Sequence, residues 1–377
     1  MPNFDFIVVG AGIAGASAAY ELQQHGSVVL IEREPLPGQH TTGRSAAFLV
    51  DSYAGPVVGR LTRAGRSFFE HPPEGFTEFP LVTPNSVLWI GRGDQRASLD
   101  DTIAKGRTAG AELHEVSVSE ARKICPVLRE DYVEFAVVEP NAMHIDVAEL
   151  LEGFLRGFRR RGGTIATKAE VYRISECGGA WTVVAGEQNY ESPVVVNAAG
   201  AWCDVIGQLA GARSIGLEPL RRTAITFDGP PDADTRAWPL VIDADEDFYF
   251  NPEGAQLLAS PCDETPSTPC DAHPEDEDVA LAADSVQRCT TIEIRHIRNR
   301  WAGLRSFVAD RSLVLGMDPE RAGFFWLAGQ GGFGIMTAPA ASRAAAGLIV
   351  NDSLPQDLLA EGITRESLSV ERLRTDA

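Results

Sequence analysis

Phe6-Ile-Val-Val-Gly10-Ala-Gly12-Ile-Ala-Gly15, a small-residue helical stretch, and then Val28-Val-Leu-Ile-Glu32 decide how the first part of this chain folds. An apolar run feeds a glycine turn, the turn opens a helix, and a second apolar run ends on an acid seventeen positions after the third glycine. In that order the motif marks a βαβ unit for an adenine dinucleotide, and it is far more specific than an isolated GxGxxG. Gly10 permits the tight turn, Gly12 lets the backbone approach a pyrophosphate, and Gly15 lets helix and sheet pack closely. The free N–H groups at the start of the helix then face the anion. Glu32 is expected to accept the ribose hydroxyls, and an acid there disfavours the 2′-phosphate of NADP. NAD and FAD both remain open at this stage.

The 377 residues suffice for two domains with a large core. With 44% hydrophobic and 23% charged residues the composition is that of an ordinary globular protein. A net charge of −20 argues against nucleic acid and anionic membranes as partners. The acidic runs Asp243-Ala-Asp-Glu-Asp247 and Glu275-Asp-Glu-Asp278 read as solvated loop surface. Six cysteines, at 125, 177, 203, 262, 270 and 289, form no C-x-x-C and no Cys/His cluster. Neither zinc nor any other metal is therefore expected, and a reduced, cytoplasmic protein is. No secretory leader fits ahead of the first strand. The most apolar stretch, Phe324 to Val350, is broken by Gln330, Pro339 and Arg343 and predicts no transmembrane helix.

Outward from the opening unit, Thr41 to Ala47 reads as a polar loop feeding a helix that closes at Ser67-Phe-Phe-Glu70. Leu81 to Ile90 and Phe135 to Glu139 are strand-like, with a mostly helical stretch from Asp100 to Cys125 between them. A helix capped by Asp146 ends at Gly162-Gly163, followed by a strand Thr164 to Lys168, a hairpin about Gly178-Gly179, and a buried strand Pro193 to Asn197. Strands are expected at Arg222 to Phe227, Phe248 to Asn251 and Gln256 to Ala259, then a surface loop Pro261 to Asp278 and a helix ending before Thr290.

Two further strand–turn–helix segments carry chemistry. Val194-Val-Val-Asn-Ala-Ala-Gly-Ala-Trp-Cys-Asp204 ends a strand in small residues, where a ligand can approach the backbone. Leu327-Ala-Gly-Gln-Gly-Gly-Phe-Gly-Ile-Met336 is a second glycine turn, with a helix expected near Phe333. A nicotinamide enzyme has no use for it. A flavin does, because its reduced N1–C2=O region carries negative charge that a helix N-terminus stabilises.

With these strings the chain resembles the glycine oxidase and D-amino-acid oxidase family of flavoproteins, and within it is most similar to the bacterial FAD-dependent D-arginine dehydrogenases. Gly43-Arg-Ser-Ala-Ala47 and Trp301-Ala-Gly-Leu-Arg-Ser-Phe-Val-Ala-Asp310 add to the likeness, which spans nearly the whole length. The resemblance implies an α/β plus α+β protein: a Rossmann-like FAD-binding domain of the glutathione-reductase type with an inserted antiparallel-sheet substrate domain. The expected division is 1–80, 144–217 and 302–377 for FAD, and 81–143 and 218–301 for substrate.

Residue roles follow from the same resemblance. Besides Gly10, Gly12, Gly15 and Glu32, it implies FAD contacts at Ala14, Arg33, Thr41, Thr42, Gly43, Arg44, Ser45, Ala46, Ala47, Val171, Ala199, Gly200, Trp202 and Gly303. At the second turn it implies Gly331, Gly332, Phe333, Gly334, Ile335, Met336 and Thr337. No Cys or His lies in Trp301 to Asp310, so the FAD is expected to be non-covalent. Arg222 and Arg305 match the arginines that hold a substrate carboxylate, and Tyr53 and Tyr249 match pocket tyrosines. From the residues alone, Arg222 beside Arg221 reads as a surface charge, whereas Arg305 sits in an apolar strand and needs a partner. Substrate contacts are implied at Phe48, Val50, Val87, Gly332 and Met336.

Phe48, Val50, Val87 and Met336 replace a histidine, a threonine, the glutamate that meets the substrate guanidinium, and a glutamine, every change being toward apolar. A cationic side chain against Val87 would lose about several kcal/mol of solvation, so a neutral or apolar side chain is expected. The implied reaction is oxidative deamination of a D-amino acid by hydride transfer from Cα to flavin N5, giving an imino acid that hydrolyses to a 2-oxo acid and ammonia. The electron acceptor stays open among a quinone, another carrier and oxygen. Two alternatives stand beside this reading: a glycine, sarcosine or other secondary-amine oxidase using oxygen, and a flavin-binding subunit without turnover.

Overall fold

The computed structural model describes residues 3–53 and 55–374. Strand Phe6–Val9 lies inside a six-stranded sheet, ordered Val314–Met317, Phe324–Ala328, Val194–Asn197, Phe6–Val9, Val28–Ile31 and Thr164–Ala166. Every pairing is parallel except the edge strand Val314–Met317. The continuous apolar runs of the sequence reflect burial on both faces. Val8, Leu30, Val196 and Phe325 pack with the helices Ile13–Leu22, Val147–Arg160 and Gly334–Asn351. Their alternates Ile7, Val29, Val195 and Phe324 pack on a three-stranded sheet of Val171–Cys177, Ala180–Ala185 and Gln188–Ser192, and on helix Cys203–Leu209.

The second large sheet has nine strands. Its path runs Thr265–Pro266, Glu218–Phe227, Gln256–Ser260, Tyr249–Glu253, Leu240–Asp243, Val87–Gly91, Phe135–Glu139 and His114–Val116, with Ile297–Phe307 on the other side of Glu218–Phe227. The sheet is mixed, because Leu240–Asp243 enters from the later insertion and runs parallel to Val87–Gly91. Strand Ile297–Phe307 passes unbroken through position 301/302, so Arg305 belongs to this sheet. A small sheet of Phe48–Leu49, Met143–Ile145 and Val82–Pro84 ties the early segment to the insertion. Strands of two or three residues carry no periodicity, which is why 48–49, 114–116, 143–145 and 265–266 gave no signal. The strand expected to reach Lys168 ends at Ala166, and Lys168 adopts φ +54°.

The acidic runs are largely exposed, as expected of solvated surface, with local exceptions. Asp243 is fully buried at a strand end, where its Oδ2 accepts from Gln95 Nε2 at 2.8 Å and from Asp245 N at 3.1 Å. Arg92 Nη1 lies 3.7 Å from its Oδ1. Glu275 immediately precedes helix Asp276–Cys289, and Arg221 pairs with Glu275 and with Asp278. Nor is Pro261 to Asp278 merely surface loop: Asp263 has a side chain 6% exposed, Ala272 is buried, and the helix begins at Asp276. Charge sign alone does not reveal which acids meet a buried donor. Among the described residues no helix is long and apolar enough to cross a membrane.

Candidate active site

The opening turn is built by backbone geometry. Gly10 has φ +100°, and a Cβ there would crowd the Ala198 carbonyl; a Cβ on Gly15 would overlap the Gly10 carbonyl. Gly12 precedes helix Ile13–Leu22 without any side-chain cap, and the Ile13 N–H donates to Thr42 Oγ1 at 3.0 Å. Glu32 is 8% exposed and its two oxygens accept from the N–H groups of Ala11 and Glu34 at 2.8 and 2.9 Å. A carboxylate has about four lone-pair sites, so capacity for ribose hydroxyls persists.

Around this turn lies a long outer cavity. Its wall takes in Gly10, Gly12, Ala14, Glu32, Arg33, Thr41, Thr42, Arg44, Ser45, Ala46, Ala47, Val171, Ala199, Gly200, Trp202, Gly303, Gly331, Gly332, Gly334 and Ile335. Gly15, Gly43, Phe333 and Thr337 do not line it. Gly15 and Gly43 are close-approach positions facing backbone, the Phe333 ring packs on Tyr53, and the buried Thr337 hydroxyl donates to the Phe333 carbonyl. Met336 lines a second cavity instead.

Contacts over long sequence distances hold the cavity open. Thr41 Oγ1 donates to the Leu304 carbonyl, Arg44 Nη1 to the carbonyls of Ala272 and Ala302, and Trp301 Nε1 to the Arg44 carbonyl. The second glycine turn follows strand Phe324–Ala328, with Gly329 and Gly331 at φ +67° and +48° and helix Gly334–Asn351 starting where expected. Phe307 fills the space a side chain on Gly331 would need.

The inner cavity adjoins the outer one through Tyr249, Arg305, Gly332 and Ile335 and is walled by Phe48, Val50, Tyr53, Leu240, Ile242, Glu246, Cys262 and Met336. Strand register places both arginines on one face: Arg305 is opposite Leu220 and Arg222 opposite Gly303, two residues along the same strands. Arg222 lines the outer cavity, its side chain only 10% exposed, so it is not the surface charge that its neighbour Arg221 suggested. Arg305 Nη1 donates to the Tyr53 hydroxyl at 3.4 Å, and among the described residues no carboxylate lies in salt-bridge range of it. Burial works against its charge, but Tyr53, Tyr249 and Cys262 outweigh that and hold its pKa above the ordinary value. Burial raises the Tyr53 phenol, although Arg305 pulls the other way.

Val87 does not line the inner cavity. It is fully buried within the apolar cluster of Phe48, Val50, Trp89, Leu240 and Ile242. Leu240 and Glu139 flank Val87 in register, and Glu139 is occupied with the Asp51 N–H and the Ser52 hydroxyl. Glu246 and Cys262, read from sequence as parts of surface loops, do line the cavity, each at a positive φ near +55° (58° and 52°). Burial raises the Glu246 carboxyl against the opposing pull of Arg222, Arg305 and Arg311, and pushes the Cys262 thiol up to about 11. Neither sits in a motif, so only the fold reveals them. The pocket is thus less uniformly apolar than the substitutions at 48, 50, 87 and 336 implied.

Residues 5–348 match the model of the DAO family, FAD dependent oxidoreductase. The chain belongs to that family. It is 24% identical to the bovine (Bos taurus) FAD-dependent oxidoreductase domain-containing protein 1, covering 92% of this chain and 81% of that one. The fold is that of glycine oxidase from Geobacillus kaustophilus, with a TM-score of 0.84, 20% identity and 97% and 99% of the two chains covered. L-proline dehydrogenase from P. horikoshii superposes with a TM-score of 0.83, 20% identity and 99% of both chains.

As an FAD-dependent oxidoreductase the chain requires a cradle for FAD, and its residues fit one. Gly10 and Gly12 bring the backbone to the cavity wall without a side chain, Glu32 keeps acceptor capacity, and the starts of helices Ile13–Leu22 and Gly334–Asn351 both border a single continuous cavity. The small-residue turn Ala198-Ala-Gly200 closes that cavity between them.

Proposed function

We propose that this chain oxidises a D-amino acid with a neutral or apolar side chain to its imino acid, which water hydrolyses to a 2-oxo acid and ammonia. One observation carries the reading: Arg305 stands where the two cavities meet, beside Tyr53 and on the same strand face as Arg222, without a carboxylate of its own. A half-buried guanidinium without a counter-ion suits an incoming carboxylate, which two planar forks can grip and orient.

With the carboxylate fixed there, the substrate side chain enters a wall of Phe48, Val50, Leu240, Ile242 and Met336. Glu246 is one acid on this wall, set among Arg222, Arg305 and Arg311, whose positive charges oppose the approach of a further cation. Tyr53 and Tyr249 steady the substrate. Tyr53, kept neutral by burial, relays a proton to water and does not serve as the base. FAD, when bound, supplies the hydride acceptor. We further assign non-covalent FAD to the residues lining the outer cavity, a cytoplasmic location, a domain division near 80/81, 143/144, 217/218 and 301/302, and a quinone, another carrier or oxygen as acceptor.

The fold shared with glycine oxidase favours a second reading, oxidation of glycine, sarcosine or another secondary amine with oxygen. Anaerobic flavin reduction against D- and L-amino acids, glycine and sarcosine separates the two. D-Leucine, D-methionine or D-phenylalanine should bleach the flavin fastest. Faster bleaching by sarcosine or glycine would replace the first reading with the second, and faster bleaching by D-arginine would overturn the side-chain assignment.

A further inference from the structure

The two arginines of the site are held differently. Among the described residues the Arg305 guanidinium hydrogen-bonds only the Tyr53 hydroxyl, whereas Arg222 Nη2 donates to Glu264 Oε1 at 3.1 Å. Arg222 Nε is buried without an acceptor. Glu264 is anchored from a second side, since Arg311 Nη2 and Nη1 donate to its two oxygens at 2.6 and 3.1 Å. The Arg311 guanidinium in turn lies 3.8 Å over the ring of Phe307, the residue that packs beneath Gly331. One position earlier, Asp263 accepts from the Thr223 N–H at 2.6 Å and from its hydroxyl at 3.0 Å. One position earlier still, Cys262 lines the inner cavity. Three consecutive residues of one loop are therefore tied to the pocket, to the backbone beside Arg222, and to the Arg222 guanidinium.

We propose that Glu264 is a positioning residue, which clamps one edge of the Arg222 guanidinium so that its remaining nitrogens stay turned to the carboxylate of the substrate. The inference rests on the carboxylate grip proposed above. An arginine side chain carries several rotatable bonds, and a fork fixed in advance loses less freedom on binding. Glu264 also acts in the opposite sense, because its negative charge repels an incoming anion. Geometry and charge can be separated by substitution. Glu264→Gln keeps an acceptor for Arg222 and removes the charge; Glu264→Ala and Glu264→Leu remove both, with different bulk.

The experiment titrates benzoate into the oxidised holoenzyme and follows the visible spectrum of the flavin, with flavin content and thermal midpoint measured for every variant. Glu264→Gln should bind benzoate as tightly as the parent or up to about threefold tighter, as one anion fewer faces it. Glu264→Ala and Glu264→Leu should bind about tenfold more weakly than Glu264→Gln, the loss of one hydrogen bond to a charged group. In turnover the same two variants should raise KM and leave kcat nearly unchanged. If they bind benzoate as tightly as Glu264→Gln, the clamp does not exist. Arg222→Met tests the underlying grip separately: benzoate binding equal to the parent's, or a parent that binds no benzoate, overturns the carboxylate reading, whatever Glu264 does.

Discussion

The opening turn and the inner cavity solve opposite problems. Around Gly10 to Gly15 the backbone itself is the binding surface, and local contacts hold it in shape before any ligand arrives: Glu32 accepts from Ala11 and Glu34, and Thr42 from Ile13. The inner cavity gathers side chains from widely separated segments and leaves Arg305 and Glu246 without hydrogen-bonded ion partners among the described residues. The first is a rigid cradle that tolerates no added atoms. The second keeps its charges available and is specific through what it leaves unsatisfied.

The largest effect expected from this contrast lies in the cradle. Gly15→Ala would drive a Cβ into the Gly10 carbonyl, and Gly10→Ala would meet the Ala198 carbonyl at a φ that alanine rarely adopts. Each should be purified almost free of flavin or fail to fold; stoichiometric FAD after gel filtration would refute a rigid cradle. Next comes the pocket charge. Arg305→Met should slow anaerobic flavin reduction by every reactive amino acid about 100-fold or more, with FAD content unchanged. Unaltered reduction kinetics would remove Arg305 from the carboxylate grip.

Val87→Glu marks the border between the two behaviours. Because Val87 is packed behind the wall, the new acid should cost about several kcal/mol of stability and give no gain with D-arginine. A clear gain with D-arginine at an unchanged thermal midpoint would put Val87 in contact with substrate. The smallest effect concerns Tyr53. A phenol raised above its ordinary value near 10 stays protonated as pH approaches 10, so ionisation of Tyr53 should place no break in the pH profile of flavin reduction below that. Tyr53→Phe should lower the rate a few-fold and leave the profile's shape intact up to pH 10. A break near pH 9 that vanished in Tyr53→Phe would mean that the phenolate is the working form.

What could be read in advance follows the same division. The βαβ unit, the second glycine turn and the helix capped by Asp146 were legible because each is encoded by neighbours in the chain. Asp243 and Glu246, three residues apart in one acidic run, were not: one is sealed against Gln95 and Arg92, the other faces the cavity. Val87 misled in the opposite direction, since matching a pocket position does not guarantee that the side chain reaches the pocket.

By itself the sequence determined the dinucleotide cradle, the FAD preference and the candidacy of Arg305, because a turn at positive φ, a helix start and a charge in an apolar strand are local facts. Only the tertiary structure decided that Arg222 shares a face with Arg305, that Glu264 holds it, and that Glu246 and Cys262 complete the wall. Those facts depend on strand register and loop path, which follow from the packing of segments far apart in the chain.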